Sequence, residues 1–133
     1  MSVSKLKPES VLWIEQSKEH WKDVQWLIEG RRYSASLYSC HQTLEKLIKA
    51  AIVENKNKIP SKGHQLESLI RESGTELPKK SWYEDLAEIT RHFWRVRYPD
   101  FRRHVYTTKA AVSPTYEKTK EIYLWLLKHL KTS

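Results

Sequence analysis

The residues best suited to chemistry lie between positions 91 and 104, in the segment RHFWRVRYPDFRRH. This segment contains five arginines, two histidines and four aromatic residues, but only one acidic residue. Arginine binds phosphate through a planar fork of donors, aromatic faces stack on bases, and histidine exchanges protons near neutral pH. The combination predicts a site for nucleotide or RNA. A basic helix end with aromatic core residues is the alternative interpretation of the same composition.

Within this segment, Arg97 and His104 are candidate catalytic residues for metal-independent RNA cleavage. Such cleavage needs a base for the 2′-hydroxyl, a cation for the charge that develops on the phosphate, and an acid for the leaving oxygen. Arg97 is predicted to end a helix, and His104 follows it after a proline turn, so that both side chains can face one cleft. The alternative is that Arg97 caps helix carbonyls and that His104 is an ordinary surface histidine.

Other residues of the segment are candidates for holding the nucleic acid. The predicted phosphate contacts are Arg91, Arg95, Arg102 and Arg103. Tyr98 is predicted to stack on a base, as are Trp94 and Phe101. The alternatives are a solvated basic face for the arginines and packing in the core or in a turn for the aromatic residues.

The net charge of +8 is concentrated in the last third of the chain. Residues 91–133 hold ten Lys and Arg against three Asp and Glu, a surplus of +7, whereas residues 1–30 hold four against five, a balance of −1. A polyanion is therefore expected to bind the last third of the chain. Many proteins that bind no nucleic acid are basic too, so the charge alone does not decide the function.

Two groups on and near the predicted second helix are candidates for a structural role. Glu45 and Lys49 are four residues apart and are expected to form an exposed pair on the helix surface. If Glu45 instead faced inward, it would need a cation and could orient an arginine from the fourth helix. His64, at the entry of a short helix, is expected to act as a cap.

Composition and motifs exclude several classes of protein. Cys40 is the single cysteine, which excludes an internal disulfide framework and a cysteine-based zinc site and fits a reducing cytoplasm. The histidines lack paired metal-ligand spacing, and no glycine-rich phosphate loop is present, so we expect neither a metal nor a cofactor. No apolar run approaches the length of a membrane span, and the first residues show no secretory signal. We therefore expect a cytoplasmic protein that does not enter the membrane.

The pattern of apolar residues predicts a helical protein with one domain, residues 1–133. Only three glycines are present in a chain rich in Leu, Glu and Lys, which disfavours disorder and an all-β fold. Apolar residues at helical intervals and helix-ending signals predict five helices, at residues 9–29, 33–54, 64–71, 80–96 and 114–130. Four of these are long and their connections are short. The predicted fold class is therefore all-α, an antiparallel up-and-down four-helix bundle with one additional short helix.

Three motifs resemble those of HEPN domains, the "higher eukaryotes and prokaryotes nucleotide-binding" family. Residues 33–50, YSASLYSCHQTLEKLIKA, resemble the family's second-helix signature, and its clearest part is Gln-x-x-Glu-Lys-x-x-Lys-Ala. Residues 63–66, GHQL, resemble the His-Asp-Leu entry to a short helix, with Gln65 in place of the acid. Residues 97–100, RYPD, resemble the Arg-Tyr-Pro-Asp of many small prokaryotic members. The resemblance spans essentially the whole chain and implies a helical bundle that is usually a homodimer.

The resemblance also implies a function for the segment around Arg97. Many HEPN proteins are ribonuclease toxins with an arginine, a short spacer and a histidine, and Arg97 and His104 match this pattern at its long end. Toxins paired with a small nucleotidyltransferase antitoxin often continue His-x-Tyr, so Tyr106 would be the hydroxyl that accepts AMP. Two departures are Tyr98, where active members usually have a small polar residue, and Pro99 within the motif. The alternative function is a non-catalytic module that binds a nucleotide or a partner protein.

Overall fold

The structure, a computed structural model, describes residues 5–132, and all regular secondary structure within this range is helical. The four long helices are α1 (Pro8–Glu29), α2 (Tyr33–Lys56), α4 (Ser81–Arg95) and α6 (Lys109–Thr132). Two short helices, α3 (Leu66–Glu72) and α5 (Pro99–His104), lie between them in the chain. The predicted all-α bundle is confirmed, but it contains two short helices where the sequence predicted one. None of the helices in this range is long and apolar enough to span a membrane.

Helix α2 is the central element, because it packs against α1, α3, α4 and α6. Its apolar side chains are buried on most sides, and the largest fully buried ones are Leu37, Leu44, Leu47, Ile48 and Ile52. Burial of each such side chain stabilises the folded state by about 1.5–3 kcal/mol. The main core is therefore built around this helix, with α1 and α6 covering it over most of their lengths.

The turn between α1 and α2 is tight and presents two arginines. Gly30 donates its backbone N–H to Trp26 O (2.9 Å), and Arg32 donates to Leu27 O (2.7 Å), which satisfies carbonyls at the end of α1. Arg31 lies in the left-handed region with φ of 61°, which is uncommon for a residue other than glycine. The turn places Arg31 and Arg32 immediately before the first turn of α2.

The segment between α4 and α6 differs from the sequence prediction. Tyr98 has an extended backbone, as expected before a proline, but Pro99 then starts α5 instead of an irregular turn. Helix α6 begins at Lys109, and the predicted start at Pro114 is wrong. The reason is a cap at Thr108, whose Oγ1 accepts the N–H of Ala111 (3.2 Å) and so starts the helix earlier.

A second, smaller core lies beneath α5. It consists of Leu37, Val96, Tyr106 and Val112, with Ile28, Tyr33 and Phe101 packed against them. No residue of α5 itself is buried, so this helix is held on the bundle mainly through the half-buried Phe101 and the residues on either side of it in the chain. The minor core therefore decides where the basic side chains of α5 point.

Substitution of a fully buried residue of α2 tests the central role of this helix. We expect Leu47→Ala to lower the free energy of unfolding by about 2–5 kcal/mol, because it removes buried methyl groups and leaves a cavity. Urea unfolding measures this, with Leu124→Ala on the exposed surface of α6 as the control. The control is expected to change stability by less than about 0.5 kcal/mol. Equal effects of the two substitutions would contradict the packing described here.

Candidate functional site

Four arginines from two distant parts of the chain line one open cavity of about 590 Å³, the arginine pocket. Arg31 and Arg32 come from the α1–α2 turn, and Arg102 and Arg103 come from α5. The remaining lining residues are Tyr33, Ser34, Ala35, Pro99, Tyr106 and Thr107, and no acidic residue is among them. The first turn of α2 also borders this cavity, and its backbone N–H groups add positive potential. The pocket is therefore suited to a phosphate-bearing ligand.

The geometry of α5 sorts its residues between two sides. At about 100° per residue, Pro99, Arg102 and Arg103 share one side of the helix, which is the side that lines the pocket. His104 is turned about 100° from Arg103 and about 160° from Arg102, and it lies away from the pocket. Its side chain is exposed and makes no hydrogen bond or ring contact with another described residue.

Arg97 lies apart from His104, against two aromatic rings of α4. Its guanidinium carbon is 4.5 Å from the ring centre of Phe93 and 4.9 Å from that of Trp94. Together with Tyr38 and Arg102, it lines a second cavity of about 390 Å³. The structure therefore connects Arg97 to the arginine pocket through Arg102 and does not bring it together with His104.

The other two predicted phosphate contacts on α4 are already engaged. Arg91 donates to Glu84 (2.9 Å) and to Glu88 (2.8 Å) on the same helix, and these bonds lower the pKa of the Glu88 carboxyl. Arg95 lies over the ring of Phe101 at 5.8 Å. Neither side chain lines the arginine pocket. The predicted base-stacking residue Tyr98 is 63% exposed and adjoins Pro99 at the edge of the pocket.

Tyr106, the predicted AMP acceptor, is only 4% exposed and bonds to a histidine of α4. Its hydroxyl lies 2.8 Å from His92 Nδ1, and Glu88 Oε2 lies 3.3 Å from His92 Nε2. If His92 donates from Nε2 to the carboxylate, its Nδ1 accepts the phenol proton. Burial raises the pKa of Tyr106 and lowers the pKa of His92, so both are neutral near pH 7.

The predicted exposed pair of Glu45 and Lys49 is instead a buried cluster. Glu45 is 2% exposed, and its two carboxylate oxygens accept hydrogen bonds from His64 Nδ1 (2.8 Å) and Lys49 Nζ (3.0 Å). Burial raises the pKa of Glu45, but these two bonds outweigh it, and the pKa lies below its ordinary value. The charge of the inward-facing Glu45 is therefore compensated by Lys49, together with a hydrogen bond from His64. The compensating cation is not the arginine from α4 that the sequence suggested.

The prediction that His64 caps the short helix is wrong, because α3 begins at Leu66 with Gln65 as its N-cap residue, and the side chain of His64 bonds to Glu45 instead. His41 holds the backbone of His64 in place. His41 is fully buried, donates from Nε2 to the backbone carbonyl of His64 (2.7 Å), and stacks on Phe93 with ring centres 3.8 Å apart. Burial lowers the pKa of His41, which keeps it neutral. The signal in the sequence was the spacing of Tyr38, His41 and Glu45, which places the three residues at helical intervals along one side of α2.

Comparison with known proteins identifies the class of this bundle. The sequence model of the HEPN domain matches residues 10–130, so the chain belongs to the HEPN family. Two solved structures share the fold over nearly their whole length. The crystal structure of TT1696 from Thermus thermophilus has a TM-score of 0.75 and 16% identity, with 92% of this chain and 98% of that chain covered.

The second structure is that of ST0689, an archaeal HEPN homologue, with a TM-score of 0.72 and 16% identity. It covers 94% of this chain, and all of its own chain is matched. At such identities the likeness concerns the fold and not the site. No curated protein matches the sequence. Among the described residues, no group of three or more histidine, cysteine or acidic side chains is placed to hold a metal ion.

The buried carboxylate of Glu45 makes stability depend on pH in a defined direction. The pKa of Glu45 in the folded protein lies below 4.5. The stabilisation that its charged form gives the folded state is therefore present above pH 4.5 and is lost as the pH falls below that value. We expect Glu45→Gln to lower the free energy of unfolding at pH 7 by about 3–5 kcal/mol, because the charge of Lys49 is left uncompensated. The difference in the free energy of unfolding between Glu45→Gln and the native protein should become smaller below pH 4.5.

Urea unfolding at a series of pH values measures this difference, with Glu121→Gln as the control. Glu121 is an exposed carboxylate on α6, and its substitution should leave both the stability and its pH dependence close to native. A difference between Glu45→Gln and native protein that stays constant down to acidic pH would contradict the assignment.

Proposed function

We propose that this HEPN protein binds RNA or a nucleotide through phosphate groups held in the arginine pocket. The observation that carries the proposal is the convergence of four arginines on one cavity without an acidic residue in its lining. Each guanidinium presents a planar set of donors that matches phosphate oxygens. The exposed ring of Tyr98 at the edge of the pocket offers a surface on which a base can stack.

Binding has stronger support than catalysis by the predicted pair of Arg97 and His104. Arg97 adjoins the pocket through Arg102, which favours a role in contacting the nucleic acid. His104 does not line the pocket and is turned about 100° from Arg103 around α5, which gives it less support as a group that meets a phosphate held there. The metal-independent endoribonuclease therefore stays a prediction as far as His104 is concerned. A binding module without catalysis is the alternative function for the same pocket.

A specific observation favours the proposal that Tyr106 accepts AMP from a nucleotidyltransferase partner. Tyr106 is one of the residues that line the arginine pocket, and in the transfer its phenol oxygen would bond to the α-phosphorus of a nucleoside triphosphate as the bond to pyrophosphate breaks. His92 is in position to take the phenol proton, and Glu88 is in position to stabilise the imidazolium that forms. Because Tyr106 is buried, the reaction requires α5 to open. Attachment of AMP at Tyr106 would fill the arginine pocket and block its binding of RNA. This is the neutralising effect expected of an antitoxin.

The proposed setting is a homodimer in the cytoplasm. Proteins of this family often form dimers. Leu12 and Trp26 lie fourteen residues apart on α1, and both side chains are exposed. At about 100° per residue they lie on similar sides of the helix, and a second copy that covered both side chains would also meet the exposed Glu19 and Asp23 between them.

The arginine pocket is tested by Arg102→Ala combined with Arg103→Ala. We expect weaker RNA binding and a salt dependence of log K that is less steep by about 1.4, because two phosphate contacts of a single strand are removed. Fluorescence anisotropy with a labelled single-stranded RNA at several salt concentrations measures both quantities.

The matched control removes two exposed lysines far from the pocket, Lys80→Ala with Lys120→Ala. It lowers the net charge by the same amount, so a purely non-specific attraction would weaken equally in both variants. If the two double variants have the same affinity and the same salt dependence, phosphate binding in the arginine pocket is ruled out.

The modification is tested by mass spectrometry of the protein after co-expression with a nucleotidyltransferase from its own genome. We expect the native protein to gain the mass of one AMP group and Tyr106→Phe to remain unmodified, because only the hydroxyl is missing in the variant. Tyr116→Phe is the control and should be modified like the native protein. AMP attached to another residue, or to Tyr106→Phe, would exclude Tyr106 as the acceptor.

A further inference from the structure

His64 is a half-exposed imidazole held by a buried carboxylate. Glu45 accepts from His64 Nδ1 (2.8 Å), and 42% of the histidine side chain is open to solvent. The proton used in this bond is on Nδ1, so the neutral ring has its lone pair on Nε2. No described residue bonds to Nε2. This arrangement of buried carboxylate, oriented ring and free nitrogen is the one that histidines use for proton transfer.

The charge of Glu45 is already compensated by Lys49, which donates to its other oxygen (3.0 Å). The loop is separately tied to α2 by the bond from His41 Nε2 to the backbone carbonyl of His64. Attachment of the loop backbone therefore does not depend on the imidazole of His64, although its bond helps to keep the buried carboxylate ionised. What the bond to Glu45 adds is a fixed orientation and a fixed tautomer of the ring.

A phosphate-binding group lies beside this histidine. The ring centres of His64 and Phe93 are 5.5 Å apart, and the guanidinium carbon of Arg97 is 4.5 Å from the same Phe93 centre, so His64 and Arg97 are at most about 10 Å apart. Both also contact Trp94, whose ring is 43% exposed. Trp94 is therefore an exposed ring in contact with both the imidazole and the guanidinium, on which a base can stack.

One side of α2 connects this location to the arginine pocket. Ser34, Tyr38, His41 and Glu45 fall within about 60° on the helix and extend over about 16 Å. Ser34 and Arg102 line both the arginine pocket and the second cavity, and Tyr38 and Arg97 line the second cavity. His41 and Glu45 are buried, so a single strand held in the arginine pocket would reach His64 over the exposed side chains of Tyr38, Arg97 and Trp94.

We propose that His64, positioned by Glu45, is the proton-transfer residue of a metal-independent RNA-cleaving site, with Arg97 as its phosphate contact. The proposal rests on the binding of RNA in the arginine pocket and differs from the sequence prediction, which assigned proton transfer to His104. His64 is the catalytic residue in this assignment, because it touches the reacting hydroxyl. Glu45 is a positioning residue that acts through His64.

The reaction is a transfer within the RNA strand and requires no other reactant. His64 Nε2 takes the proton of a ribose 2′-hydroxyl, and the 2′-oxygen forms a bond to the adjacent phosphorus. The bond between phosphorus and the 5′-oxygen breaks, and the leaving oxygen takes a proton from water. The products are a 2′,3′-cyclic phosphate and a 5′-hydroxyl end. Arg97 stabilises the negative charge that increases on the phosphate oxygens during the transfer.

The test is cleavage of a labelled, mixed-sequence RNA hairpin by the purified protein in EDTA. We expect the native protein to cut this RNA but not a DNA strand of the same sequence, which lacks the 2′-hydroxyl. His64→Ala should be slower by about a hundredfold or more, and added imidazole should restore part of its activity. Recovery with imidazole separates proton transfer from a purely structural role of the side chain. His129→Ala, on the last turns of α6, is the matched histidine control.

Two further variants test the partners of His64. Arg97→Ala, an exposed substitution, should reduce cleavage with little change in melting temperature. Glu45→Gln should lower kcat with little change in KM, because the imidazole loses its fixed orientation while the arginine pocket is unaltered. The charged and titratable groups around His64 are Glu45, His41 and Lys49 from α2 and Arg97 beyond α4. Of these, Glu45 contributes the only negative charge.

Three results would overturn the assignment. The first is that His64→Ala cleaves RNA at the rate of the native protein. The second is that cleavage is lost in His104→Ala but kept in His64→Ala. The third is that the native protein binds the RNA but does not cleave it. RNA binding, measured in parallel, separates this proposal from the preceding one. If RNA binds and the arginine variants weaken it, the proposed function stands even when cleavage fails. If no RNA binds, both proposals fail.

Discussion

Burial of Glu45 on the central helix requires compensation of its charge, and the compensating groups organise one surface of the protein. Lys49 supplies a cation from the same helix, and His64 supplies a donor from the loop before α3. His41 then holds the backbone of that loop and stacks on Phe93, which fixes α4 against α2. Burial of a carboxylate costs free energy unless the group is paired and hydrogen-bonded. The contacts of Glu45 with Lys49 and His64 therefore form together with its burial. The order of this surface follows from that single constraint.

The second organising feature is the short helix α5, which has little core of its own. Proline starts it, Phe101 in its middle and Tyr106 just after its end anchor it on the minor core, and its basic side then faces the α1–α2 turn. Four positive side chains are thereby held next to one another, which repulsion disfavours unless an anion lies between them. This local arrangement lowers the stability of the folded protein and at the same time suits the binding of an anion.

The two features lie at opposite ends of one side of α2, and this separation places the proposed RNA-binding pocket apart from the proposed proton-transfer residue. The arginine pocket lies at the start of the helix, while Glu45 and His64 lie about two turns of helix beyond Tyr38. HEPN bundles, like other common folds, do not specify one activity, so the function of this chain depends on the groups at these two places. Because the two places are distinct, substitutions in the arginine pocket can change the affinity for RNA without changing the proposed proton-transfer residue.

Much of the secondary structure could be read from the chain. The apolar spacing of the four long helices, Gly30 after α1 and the helical period of the last segment are local properties, and they predicted the bundle. Local signals failed at the start of α6, where the cap at Thr108 competed with the more conspicuous Ser113-Pro114. They failed again at α5, because a six-residue helix has too few apolar positions to show a period.

The sequence by itself determined the fold class, the concentration of positive charge in the last third, and the arginines of α5 as candidates for phosphate binding. Only the tertiary structure decided that Arg31 and Arg32 join Arg102 and Arg103, since residues seventy positions apart meet through packing and not through local preference. It also decided that Glu45 faces inward and holds His64. Spacing along a helix shows which residues share a side, but what covers that side depends on the elements that pack against it.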